Sequence, residues 1–106
     1  VGNIVLRDRQ RLSEDGIIIV VMTLESGSGQ VLAGPDIVSR GFVYVRNSES
    51  LMDEAQAVLN TTMEHLMDKG VTDWSKIKTE VKDSLGEFVW KETKRRPMIM
   101  PIIMEV

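Results

Sequence analysis

The sequence predicts an α+β fold, a small two-layer sandwich in which a sheet of about three strands carries two helices on one face, with the order α-β-β-α-α-β. Three observations point to it. The run IIIVVMTL at 17–24 is continuous, β-branched and bounded by glycine, as befits a strand apolar on both faces. Between Ser48 and Pro97 the apolar residues recur at helical spacing in two stretches separated by Gly70. The chain then closes on MIMPIIMEV, a second run apolar at both parities.

Taken in order, NIVLRDRQRLSEDG sets Ile4, Val5 and Leu12 among charges in a helix-compatible pattern, and Gly16 is suited to ending it. Strand 17–24 follows. The SGSG of 26–29 is short enough to turn a hairpin into QVLAG, and Gly34-Pro35 breaks or bulges that second strand before GFVYVR resumes it. Ser48 or Ser50 caps the next helix, with Glu49, Asp53 and Glu54 near its positive end. Leu51, Ala55, Val58, Leu59, Met63 and Leu66 form its apolar stripe as far as Gly70, a left-handed stop. The second helix starts at Thr72 or Asp73 and aligns Trp74, Ile77, Val81, Leu85, Phe88 and Val89; KETKRR and Pro97 end it. Pro101 argues that the last strand lies at an edge or a bulge.

At 106 residues this is one domain with a core of its own, and no internal repeat is present. It begins at Val1 already in apolar stride, as a piece cut from a longer protein would. The absence of cysteine rules out disulfides and thiolate metal sites, and is compatible with a reducing interior; the cytoplasm is the expected compartment. No run nears the roughly 20 apolar residues of a membrane span. A net charge of −3 gives no overall pull toward nucleic acid, and seven methionines suggest adaptable apolar surfaces.

Catalytic constellations are scarce. His65 is the sole histidine, and with Glu64 and Asp68 it offers too few converging ligands for a metal. Asp53 and Glu54 are adjacent and diverge on a helix, so they do not face each other as an acid–base pair. SGSG lacks the Lys and Ser or Thr of a phosphate-binding loop. In GPDIVSRG the expected role is structural: Gly34, Pro35 and Gly41 shape a break in the strand, Asp36 accepts backbone N–H bonds, and Arg40 pairs with Asp36 or a carbonyl. The alternative is that Asp36 and Arg40 face a partner domain or RNA.

Two surfaces remain open. The strands at 17–24 and 98–105 are apolar on both faces, yet two helices cover only one, so the second face meets the N-terminal helix, an absent part of the protein or another copy. Ile17, Ile19, Val21, Ile99 and Ile103 are the expected contacts. The most basic region, Lys91, Lys94, Arg95 and Arg96, together with Arg40 and Arg46, is where RNA phosphates would be met. Interleaved Glu80, Asp83, Glu87 and Glu92 favour a merely solvated face. Trp74 reads as core, while Trp90 is placed to pack or to stack a base.

The string GPDIVSRGFVYVR, with VGNIVLRDRQRLSEDG upstream and SESLMDEA downstream, resembles the C-terminal domain of bacterial ribonuclease J over essentially the whole chain, and within that family the less active second paralogue. The resemblance implies a β-CASP metallo-β-lactamase parent that degrades RNA as a 5′-to-3′ exonuclease and an endonuclease, in messenger decay and ribosomal RNA maturation. Its catalytic centre is expected to hold two divalent metal ions, zinc, in histidine- and aspartate-rich motifs that do not occur here. No cofactor is therefore expected in this chain, which should be inert as a nuclease. Residues 1–16 would be the linker or end of the catalytic part and 17–106 the C-terminal domain. That domain is expected to support assembly, with its own kind or with a paralogue, and full activity of the parent, to reach RNA through the parent, and to touch no membrane.

Overall fold

The computed structural model describes residues 15–41 and 48–106; the helix expected before Gly16 and the extended segment expected at 42–46 lie outside the described residues. The rest is a three-stranded sheet with two helices. Strand β1 (Ile17–Leu24) is central, flanked by antiparallel β2 (Val31–Arg40) and parallel β3 (Met98–Glu105). Helices α1 (Ser48–Asp68) and α2 (Trp74–Thr93) make the connection from β2 to β3, which is why β3 returns parallel to β1.

Local chemistry explains the element ends. The β1–β2 turn closes on Glu25 N–H to Gln30 O (2.8 Å) and Gly29 N–H to Glu25 O (3.0 Å), while Ser28 Oγ donates to Glu25 Oε1. Asp73 caps α2 by accepting from Ser75 N–H at 3.0 Å. At the other end Lys94 turns left-handed, φ 58°, and its N–H bonds Trp90 O. Helix α2 thus stops at Thr93, before Pro97.

Along β1 burial alternates strictly, with Ile18, Val20, Met22 and Leu24 buried. These side chains meet Ala55, Leu59, Met63 and Leu66 of α1, Ile77, Val81, Leu85 and Val89 of α2, and Ile99 and Ile103 of β3 in one core between sheet and helices. Among the described residues no polar side chain is buried, so the stabilising term of this layer is apolar burial, about 25 cal/mol per Å2. Trp74, expected in this core, is 36 % exposed. As the first residue of α2 it has no preceding helical turn to pack beside.

The stretch GPDIVSRG resolves an expectation. Of the two expected forms, a break or a bulge, it is the bulge: β2 runs unbroken through Gly34 and Pro35, and the irregularity is absorbed as register shifts opposite Val21 to Leu24. Pro35 suits an edge strand, and its carbonyl accepts from Gln56 Nε2 of α1 at 2.7 Å. Gly34 has φ +86°, and a Cβ there would stand 2.6 Å from Val21 O, so the bulge requires glycine.

Candidate interaction surface

Since neighbouring residues of a strand point to opposite sides, everything out of phase with the core lies on the other face of the sheet. There β1 presents Ile17, Ile19, Val21 and Thr23, all half-buried. The pairing sets Met98, Met100, Ile102 and Met104 of β3 beside them, one for each. On the β2 side stand Arg40, Val38 and Asp36, opposite Ile17, Ile19 and Val21 respectively. Leu32 completes this side, because its neighbour Val31 packs on the core.

The helices cover none of this face. Leu32, Val38, Met100, Ile102 and Met104 are each 37–49 % exposed. With the three half-buried residues of β1 they make a contiguous apolar surface, the kind that marks a contact site. The five residues expected to form the contact do not act together: Ile17, Ile19 and Val21 lie on the open face, whereas Ile99 and Ile103, each 9 % exposed, belong to the helix-side core. Met98, Met100, Ile102 and Met104 take their place. A strand apolar at both parities does not itself say which parity faces the helices.

Asp36 and Arg40 are the only charged side chains on this face among the described residues. Four residues apart on a strand, they are roughly 13 Å from one another and do not pair. Arg40 instead donates to Ser39 O at 2.9 Å. Nor does Asp36 collect the backbone N–H bonds expected of a turn residue, since it sits exposed in mid-strand.

A second surface lies beyond the end of α2. Arg96 places its guanidinium 4.3 Å from the Trp90 ring centroid, and Lys94 its ammonium at 5.2 Å. Arg96 and Trp90 border a cleft of about 330 Å3 between α2 and the start of β3, lined also by Lys82, Asp83, Gly86, Glu87, Pro97 and Ile99. Arg95 turns away to Asp15 (3.6 Å), and Lys91 is exposed. The basic group is thereby divided, Arg40 stands on the sheet face, and Arg46 lies outside the described residues.

His65 is exposed on α1, and among the described residues no three His, Cys, Asp or Glu side chains converge as metal ligands. A two-metal centre therefore does not fit the described side chains. No helix among them is long and apolar enough to cross a membrane.

Comparison with known proteins supplies the context. The model of the family described as "Ribonuclease J C-terminal domain" matches residues 4–106. Over all 106 residues the chain is 47 % identical to Ribonuclease J2 of Bacillus subtilis, and 48 % identical to Ribonuclease J 2 of Staphylococcus saprophyticus and of Staphylococcus aureus. In each case it spans only 19 % of the relative's length.

Proposed function

From the chain's membership of the ribonuclease J C-terminal domain family, we propose that it is the non-catalytic assembly module of a ribonuclease J, holding the catalytic parts of two subunits together through its open sheet face. The single observation behind this reading is that face: eight apolar side chains of β1, β2 and β3 left uncovered by the helices. Burying them against a like surface removes apolar area from water at about 25 cal/mol per Å2, the general driving force of association. The partner is a second copy or a paralogue of the same family. The parent would act in the cytoplasm on messenger and ribosomal RNA as a metal-dependent exo- and endonuclease. Its two divalent ions, zinc on this reading, would be held outside this chain, and RNA would be met there.

Sedimentation equilibrium tests it. The wild-type chain should associate in the micromolar range, and Met100→Asp or Ile102→Asp, at exposed positions, should yield a folded monomer. A wild-type chain that stays monomeric at high micromolar concentration, alone and mixed with a paralogous domain, would sink the reading.

One observation favours a second function, contact with single-stranded RNA. Arg96 and Lys94 gather at Trp90, the mix of cation and aromatic that serves stacked bases and phosphates. Binding would weaken steeply with salt and be lost in Arg96→Ala. Lack of any binding at low salt would remove it.

A further inference from the structure

The open face carries one acid and one base, and their placement is self-complementary. Val38, Ile19 and Met100 form one row across the sheet, Ile19 being paired with both. On one side of that row lie Asp36, Val21 and Ile102; on the other lie Arg40, Ile17 and Met98. Asp36 and Arg40 are thus equally far from Val38, on the same strand and the same face.

From this we infer that two copies of the chain pack sheet to sheet about a two-fold axis that lies in the interface and crosses the strands along the row Val38–Ile19–Met100. The inference rests on the proposed association through this face and adds its partner, symmetry and register. Such an axis reverses strand direction and lays β2 over β2 of the second copy. Asp36 then faces Arg40 of the second copy, twice over, while Val21 and Ile102 come against Ile17 and Met98. The row on the axis meets itself. Packed sheets stand about 10 Å apart, a gap that an aspartate and an extended arginine span from opposite sides.

The other two-fold in the same plane runs along the strands. It would lay β2 over β3 of the second copy and set Asp36 and Arg40 against the methionines and Ile102. Each charge would lose water without gaining a counter-charge, which is unfavourable. The charges therefore choose between two arrangements that apolar area alone would leave nearly equal; moving the axis to the Asp36 or Arg40 row would set like charges together, and moving it halfway would leave both charges without a counter-charge.

Charge reversal in the 106-residue chain decides the matter. Asp36→Arg or Arg40→Asp alone sets like charges opposite each other and should raise the dimer Kd by at least about tenfold. The double reversal should return it to within about threefold of wild type. Circular dichroism checks that each variant is folded. The chain has no cysteine, so Val38→Cys introduces the sole thiol. A short bismaleimide should join two copies at this position on the axis, but not at Leu32→Cys, which stands opposite the Thr23–Leu24 end of β1, roughly 15 Å from the axis row. A dimer indifferent to both single reversals, or linked at Leu32→Cys and not at Val38→Cys, overturns the register while leaving association intact. A chain that never pairs with itself overturns the two-fold dimer, and one that also stays monomeric when mixed with a paralogous domain overturns both.

Discussion

Two glycines show at residue scale how opposite effects follow from one added methyl group. At Gly34 a Cβ would meet Val21 O at 2.6 Å and Met22 Cα at 3.1 Å, with backbone on both sides and φ at +86°. Gly34→Ala should therefore cost at least about 1–3 kcal/mol. At Gly86, inside α2, the nearest atom is Ile99 Cδ1 at 3.5 Å, an ordinary contact. There the helix gains propensity, and Gly86→Ala should stabilise by about 0.5–1 kcal/mol. Urea unfolding of both variants checks the pair; equal signs would contradict the packing described. The sequence made Gly34 visible through its neighbour Pro35, as either a break or a bulge. That β2 continues through it depends on the length of β1 opposite, which no local pattern reports.

Helix ends and strand edges set the next scale. Asp73 holds the start of α2 through Ser75 N–H, so Asp73→Ala should lower stability by about 1 kcal/mol, read as a shift of the urea midpoint. At β3, Met98 N–H donates to Gly16 O and Val106 N–H to Leu24 O, so even-numbered residues turn their backbone toward β1. The odd-numbered ones face the free edge, and Pro101 stands among them without an N–H to offer. With Pro35 on the opposite edge strand, each border of the sheet carries a proline, an arrangement that discourages lateral pairing. Pro101→Val should restore a donor and increase self-association or aggregation, seen by light scattering. Helix stripes were legible because their period of 3.6 is distinct and Gly70 and Pro97 punctuate them. The assignment of Ile99 and Ile103 to the core was not, since every position of β3 but one in its first seven is a large apolar residue and Pro101 is the exception.

For the molecule as a whole, the two layers owe their union to β3, because Ile99 and Ile103 join the core that α1 and α2 close. Removing residues 98–106 would uncover one side of β1 and part of the helix layer together. The shortened chain should lose cooperative urea unfolding and near-ultraviolet dichroism; a sharp transition near the wild-type midpoint would count against this account. The α+β class and its two-layer form could be read from the sequence. The parallel placement of β3 could not, since it follows from both helices crossing the same face. The pairing of β1 with β3 also bears on how the chain reaches this state. Ile18 finds its partner in Ile99, at nearly the far end of the described sequence. The β1–β2 hairpin and the α1–α2 pair can form early from local contacts, but the central strand must wait for a closure spanning almost everything between, and that step should govern the folding rate. During synthesis on the ribosome the strand stays half-bordered until the last residues of the domain emerge.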